Sequence, residues 1–232
     1  MSIAIFGNKA DLSQIPESAN AIILECCIVN MAELKRLNWL THITMKNTEC
    51  DFAIRDFADF PKLICLILDK VITTNPIDIN SLNLLKLNYF QLVARPDSKI
   101  DIIAELRLDQ MISLHLANIG DHGKLLEHIT AKSLQSLYLS NSTENCLSGI
   151  DRFTELAILT ITNSNIIRLD RGLNILTQLL VFRMENVGIM PYELEYLDSN
   201  IIRVIDYPTI NEHIVGILKN RSSCVKSARK FY

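Results

Sequence analysis

The feature that most constrains this chain is a short pattern of apolar residues that recurs along almost its whole length. In the stretch LQSLYLSNS, which begins at Leu134, leucine occupies the first, fourth and sixth places. The pattern begins at Leu40, Leu63, Leu82, Met111, Leu134, Leu156, Leu179 and Ile202. Successive starts are therefore 23, 19, 29, 23, 22, 23 and 23 residues apart. A ninth unit begins near Ala19, and residues 3–8 read as an edge strand before it. A period of this length predicts stacked structural repeats.

Each unit reads as one short strand. Side chains alternate along a strand, so Leu137 and Leu139 are expected to face a core while Tyr138 faces outward. A lone strand cannot bury such leucines. We therefore expect parallel strands on either side of it, joined by crossover segments, to complete the core. An apolar residue three places before many units is expected to close the core from the other side: Leu37, Phe60, Ile79, Leu108, Phe153 and Leu176.

The pattern resembles the leucine-rich-repeat family, whose unit is L-x-x-L-x-L-x-x-N/C-x-L. The resemblance extends roughly from Ile3 to Ile210. It implies an α/β fold, a leucine-rich-repeat solenoid that forms a curved right-handed superhelix. The parallel sheet would line its concave face, with short helices or 3-10 turns on the convex face. We expect repeats over 1–210, a capping helix over 211–221 and a basic, partly disordered tail over 222–232.

The asparagines depart from the family pattern by one place. The ninth place of the unit, where the family has its ladder asparagine, holds Cys27, Thr48, Val71, Phe90, Ile119, Ser142, Ser164, Val187 and Ile210. Asparagines occupy the preceding place instead, at Asn47, Asn118, Asn141, Asn163 and Asn186. Because asparagine tolerates turn conformations, we interpret this column as turn chemistry at the strand ends. Any ladder of hydrogen bonds from ninth-place side chains to the backbone is expected to be interrupted where the ninth place is apolar.

Three segments between the strands have helical patterns. Asn30 followed by Glu33 is a capping-box pattern. The segment from Ser98, within the longest spacing, is expected to form the longest helix. DHGKLLEHI, from Asp121, reads as a shorter helix.

Charge and composition argue against several classes of protein. The net charge of −3 gives no basic footprint, which argues against nucleic acid as the main partner. No apolar run approaches the ~18 residues of a membrane span, so we expect no membrane insertion. The N-terminus lacks the pattern of a signal peptide, and the six cysteines form no C-x-x-C pair. We therefore expect a cytoplasmic protein with reduced thiols, while delivery into a host cell stays open.

No residue set in the sequence points to catalysis. The five histidines show no metal-ligand spacing, and the seven glycines form no phosphate-binding loop. The sequence therefore predicts no enzyme, with no catalytic residues, no metal and no cofactor.

The outward positions of the strands are the candidate binding surface. Ile158, Val181 and Val204 are expected to lie side by side with Leu180 next to them, which makes an apolar patch. Tyr138 and Arg183 belong to residue types that often anchor interfaces. The predicted partner-binding residues are His115, Tyr138, Ile158, Leu180, Val181, Arg183 and Val204. Cys65, Ile67 and Leu84 would form a second, smaller patch. Two alternatives stay open: the chain's own tail covers the C-terminal patch, or its apolar residues simply belong to the sheet.

The sequence thus predicts a non-catalytic protein–protein interaction module that presents a concave surface to a protein partner, as an adaptor or recognition subunit. We expect it to be monomeric alone. Two alternatives are a microbial effector acting inside a host cell and a ribonucleoprotein component. The basic residues of the tail are the only support for the last.

Overall fold

The computed structural model describes residues 1–101, 105–120, 122–141, 147–164, 171–187 and 202–206. The chain divides into two compact units, Met1–Asn118 and Ile119–Tyr232. Each unit is built around parallel strands whose side chains alternate between core and surface.

The first unit contains a row of six parallel strands in sequence order. They are β1 (Ser2–Phe6), β2 (Ala21–Glu25), β4 (His42–Lys46), β6 (Cys65–Asp69), β8 (Tyr89–Val93) and β11 (Ser113–Ala117). Two-residue strands lie between them: β3 (Ile28–Val29), β5 (Glu49–Cys50), β7 (Ile77–Asp78), β9 (Ile100–Asp101) and β10 (Leu106–Arg107). β3 pairs with β5, and β7 pairs with β9.

The second unit contains β12 (Ile129–Thr130) and four longer strands that pair in sequence order. These are β13 (Ser136–Ser140), β14 (Ile158–Ser164), β15 (Val181–Val187) and β16 (Ile202–Asp206). The expected alternation is confirmed in β13, where Leu137 and Leu139 are at most 1% exposed and Tyr138 is 37% exposed.

The frame of one repeat unit, that is, the residue at which it begins, was predicted wrongly as Leu82. Ile79–Leu84 forms a 3-10 helix, and the strand follows at Tyr89–Val93, so its unit begins at Leu87. LNYFQL matches the repeat pattern as well as LNLLKL does, because Phe90 fills the place of a leucine. Starting at Leu87 makes both flanking spacings 24 residues, and β8 then lies in register with β6 and β11. The even spacing of the strands therefore places the start of this unit at Leu87 and not at Leu82.

A tight turn precedes most of the strands. The N–H of Leu40 donates to the carbonyl of Leu37, and equivalent bonds of 3.0–3.1 Å recur before β6, β11, β13, β14 and β15. All six residues expected to close the core from this side are buried: Leu37, Phe60, Ile79, Leu108, Phe153 and Leu176. Leu84, which has the equivalent place in the corrected frame, is instead 62% exposed.

The asparagine column is confirmed as turn chemistry. All five asparagines have φ between 46° and 58°, the left-handed region that asparagine adopts more readily than most residues. Cys26 and Lys70 occupy the same place with φ of 55° and 53°. This geometry lets the N–H of Asn47 donate to the carbonyl of Asp69 at 2.8 Å. The corner at Asn47 therefore ends β4 and ties it to β6, and the N–H groups of Cys26, Lys70 and Asn141 make equivalent bonds to the next strand.

The ninth-place ladder is interrupted, as expected. The thiol of Cys27 lies 3.1 Å from the carbonyl oxygen of Glu25 and 3.3 Å from that of Ile5. Ser164 donates to the carbonyl of Thr162 at 2.9 Å. Val71 and Val187, each 5% exposed, fill the same place with apolar side chains. The spine therefore contains both hydrogen-bonded and purely apolar layers.

The segments between the strands hold short helices. Met31–Lys35 forms α1, and the side chain of Asn30 caps it by accepting from the N–H of Ala32 at 2.8 Å. His122–His128 forms α2, as expected. Further 3-10 helices span Ile54–Asp59, Ile150–Arg152 and Arg171–Ile175.

The prediction that the longest helix begins at Ser98 is wrong for the described residues. These residues form β9 and β10 instead. The expected capping helix over 211–221 and the basic tail over 222–232 lie outside the described residues. No helix in the described part of the chain is both long enough and apolar enough to cross a membrane.

Candidate functional site

The candidate site is the outward side of β13, β14 and β15 in the second unit. Cα register places Ser136, Ile158 and Val181 in one row and Tyr138, Thr160 and Arg183 in the next. The inward residues Leu137, Leu159 and Phe182 are fully buried and pack these strands against the core. We call Tyr138, Ile158, Leu180, Val181 and Arg183 the outward patch.

Thr160 lies at the centre of the outward patch, between the two expected anchors. It is only 9% exposed although its side chain faces outward, whereas Tyr138 is 37% exposed. The side chain of Arg183 is 51% exposed, and its guanidinium lies 3.1 Å from a carboxylate oxygen of Glu185. The larger side chains of Tyr138 and Arg183 therefore flank Thr160 and leave little of it exposed to solvent.

The N-terminal edge of the outward patch is apolar. Ile158 and Val181 are half-buried, and Leu180 is 60% exposed. The N–H groups of Leu180 and Val181 both donate to the carbonyl of Ala157, at 2.9 and 3.0 Å. Because its backbone is held by these bonds, Leu180 presents its side chain to solvent from a fixed position.

The C-terminal edge of the same strands is polar. Thr162 donates from its hydroxyl to the hydroxyl of Ser140 at 2.9 Å. The side-chain amide of Asn186 donates to that of Asn163, also at 2.9 Å. The surface therefore changes from aliphatic to hydrogen-bonding over the length of one strand.

One predicted neighbour of the outward patch is misplaced. Val204 lies opposite Arg183 in the register of β15 and β16, and Ile202 lies opposite Val181. The predicted unit start at Ile202 is therefore two residues late. The two-residue shift changes which residue of β16 is the lateral neighbour of Val181.

His115, the remaining predicted residue, belongs to the first unit. It is half-buried on β11, in register with Gln91. Burial lowers the pKa of its imidazole, and the charge of Asp69 opposes this in part. This combination favours a neutral ring at neutral pH.

The second predicted patch changes its composition with the frame. Leu84 lies in a 3-10 helix, and Tyr89 takes its place beside Cys65. Tyr89 donates from its hydroxyl to the side-chain oxygen of Gln91 at 3.1 Å. Tyr89 and Gln91 are surface residues that the predicted frame missed, and the even 24-residue spacing is the signal that could have found them.

The described residues hold little reactive chemistry. Burial raises the pKa of the Cys50 thiol to about 12, and burial also raises the pKa of Cys65. Thiols with raised pKa values are poor nucleophiles at neutral pH. Within the described ranges, no three or more His, Cys, Asp or Glu side chains are grouped to hold a metal ion.

Comparisons with solved structures identify the architecture. The fold is similar to a leucine-rich-repeat protein of Leptospira interrogans, at 18% identity and a TM-score of 0.55 over 82% of this chain and 53% of that one. It is also similar to internalin C2 of Listeria monocytogenes, at 23% identity and a TM-score of 0.60 over 86% of this chain and 84% of that one.

A plant peptide hormone receptor in complex with RGF2 is similar at 16% identity and a TM-score of 0.54. That match covers 98% of this chain and 42% of the receptor. The chain thus spans about half the length of the Leptospira protein and less than half of the receptor. No protein-family model matches the sequence, and no curated protein matches it. The similarity to these three solved structures shows that the chain has the leucine-rich-repeat fold.

Proposed function

We propose that this chain is a non-catalytic protein-binding module and that the outward patch of the second unit is its contact surface. The observation that carries the proposal is the position of Leu180, 60% exposed beside the aligned Ile158 and Val181. Leu180 is among the most exposed large apolar side chains in the described residues. Covering it with a partner removes apolar surface from water, at about 25 cal/mol per Å².

The chemistry around Leu180 supports a protein partner. Tyr138 and Arg183 stand on either side of Thr160 and bring an aromatic ring and a guanidinium to the same surface. Tyr and Arg are enriched among residues that dominate interface energies. Because the strands are held by a buried core, binding orders little backbone, which limits the entropic cost.

The same proposal assigns the chain an adaptor or recognition role in the cytoplasm. The thiols of Cys26, Cys27, Cys50 and Cys65 are all free. Buried free thiols favour a reducing compartment. The similar receptor whose structure includes bound RGF2 is a precedent for binding by this fold, and RGF2 itself is no guide to the partner here.

Paired substitutions test the surface. Leu180→Glu and Val181→Glu add charge within the outward patch, while Ile175→Glu adds the same charge to a 3-10 helix at a residue that is 59% exposed. Affinity capture with the unmodified chain and the three variants identifies proteins that are lost only with the first two. A purified candidate is then titrated against all four proteins by calorimetry.

We expect Leu180→Glu and Val181→Glu to weaken binding at least tenfold and Ile175→Glu to leave it unchanged, with all variants folded by circular dichroism. A partner that binds all four proteins equally would contradict the proposed surface. Binding to RNA that falls steeply with salt would instead favour the ribonucleoprotein alternative.

A further inference from the structure

The first strand of the chain has one edge that carries no described partner. β1 pairs with β2 along one side, and no described strand pairs with its other side. The carbonyl of Met1 accepts from the N–H of Asn20 at 3.0 Å, and that of Ile5 accepts from the thiol of Cys27 at 3.3 Å. Odd-numbered residues therefore direct their peptide groups toward β2.

Peptide groups alternate in direction along a strand, and the N–H and C=O of one residue point the same way. Ser2, Ala4 and Phe6 consequently direct their N–H and C=O groups away from β2. An edge of this kind is a template for another strand, and proteins usually blunt it with charge or proline. The sequence SIAIF contains neither a charged residue nor a proline.

The core is also less covered at this end. Ile3 and Ile5 are half-buried, whereas their register partners Ile22 and Leu24 on β2 are 1% and 0% exposed. On the opposite side of the strand, Phe6 is 68% exposed. Both sides of β1 therefore leave apolar surface in water next to backbone donors and acceptors that pair with no described strand.

We propose that β1 pairs with β1 of a second copy of this chain, antiparallel, with the two-fold axis at Ala4. The strand is symmetric about that residue, because isoleucine stands on each side of it. Around such an axis, Ile3 of each copy faces Ile5 of the other and covers the open end of the core. Ser2, Ala4 and Phe6 exchange pairs of hydrogen bonds with Phe6, Ala4 and Ser2 of the second copy.

The symmetry of β1 about Ala4 favours a second copy of the chain as its partner over an unrelated peptide. A two-fold interface requires one surface to complement itself, and an uncharged strand with this symmetry does so without like-charge contacts. The small side chain of Ala4 at the axis also leaves space for both Phe6 rings. The residues of β1 are not those of the outward patch, so the proposed dimer does not rest on the proposed function. It is an alternative to the expected monomer.

Sedimentation equilibrium of the full chain over a wide concentration range tests the dimer. Ala4→Pro removes an outward N–H while leaving the bonds from β1 to β2 in place, because Ala4 does not donate toward β2. Phe6→Lys places a charge on the edge, and Leu84→Lys is its control at a residue that is 62% exposed in a 3-10 helix. We expect a dimer whose dissociation constant rises at least tenfold with Ala4→Pro and Phe6→Lys and stays unchanged with Leu84→Lys.

Hydrogen exchange at the Ala4 amide provides a second measurement. We expect its protection to increase with protein concentration. Protection that is independent of concentration would show that the edge is covered within one molecule, and a monomer at every concentration would equally overturn the proposal. A dimer that survives both edge substitutions would place the interface elsewhere. If Ala4→Pro fails to fold, Phe6→Lys against Leu84→Lys decides the result.

Discussion

The buried hydroxyl of Thr48 lies 2.9 Å from the carbonyl oxygen of Leu24, one repeat earlier in the chain. The same hydroxyl lies 3.0 Å from the carbonyl of Lys46 in its own repeat. Thr48 is 0% exposed, so water cannot replace either contact. One threonine therefore does here what asparagine does in the family pattern, and it links two layers of the core.

Replacing Thr48 with valine keeps the shape of the side chain and removes the hydroxyl. We expect the free energy of unfolding to fall by about 1–2 kcal/mol, because the buried hydrogen bond from Thr48 to the carbonyl of Leu24 is lost. Urea denaturation measures this, with Thr44→Val as the control because Thr44 is half-buried on the outward side of β4. Equal losses in the two variants would contradict a specific role for the Thr48 hydroxyl.

Lys70 is a site where the chain can be stabilised. Its φ of 53° lies in the left-handed region, which costs a residue with an ordinary side chain about 1–2 kcal/mol. Asparagine adopts this region more readily, so Lys70→Asn is expected to raise the free energy of unfolding by about 0.5 kcal/mol. Lys46→Asn makes the same change within β4, where the backbone is extended, and should not stabilise. A gain from both substitutions would point to charge removal instead.

Two glycines with nearly the same φ separate conformational strain from lack of space. Gly149 and Gly120 have φ of 80° and 79°. A Cβ at Gly149 would lie 2.9 Å from backbone atoms of Glu127, whereas nothing lies within 4 Å of one at Gly120. We expect Gly120→Ala to cost about 1 kcal/mol from strain alone. Gly149→Ala should cost clearly more, and similar thermal-denaturation midpoints for the two variants would refute this reading of the packing.

The ion pairs of Lys35 should make stability depend on pH. Its ammonium lies 2.8 Å from a carboxylate oxygen of Asp56 and 2.9 Å from one of Asp59. Burial opposes ionisation of Asp56, but hydrogen bonds from Lys35 and from the N–H of Ala53 outweigh it and lower the pKa of Asp56. Its ionised carboxylate therefore stabilises the fold above the ordinary value of 3.8, and this contribution is lost as pH falls through the lowered pKa.

Lys35→Met is accordingly expected to cost about 0.5–1 kcal/mol at neutral pH, a typical value for a partly exposed pair. The difference in free energy of unfolding between this variant and the unmodified chain should shrink as the pH falls through the lowered pKa of Asp56, because the carboxylate then becomes protonated. Urea denaturation at several pH values measures it, and Lys62→Met, at an exposed turn residue, is the control. A difference that stays constant with pH would exclude the ion pairs as its cause.

The repeat pattern predicted the strands well because it reports a local property. Leu137 and Leu139 alternate with Tyr138 in the sequence, and this period alone determines which side of a strand each residue occupies. The asparagines at the strand ends were predictable for the same reason, since positive φ is a property of a single residue. The Leu82 unit failed because Leu87 fits both overlapping frames, and the pairing of β8 with β6 and β11 distinguishes them.

The sequence by itself determined the type of architecture, the period and the inward or outward direction of most strand residues. The tertiary structure decided which outward residues are neighbours. The Cα register of β15 and β16 places Val204 beside Arg183 instead of Val181. The low exposure of Thr160 likewise comes from the side chains on the two adjacent strands. Lateral contacts join residues about one repeat apart, and the period of a sequence constrains their spacing only to within a few residues.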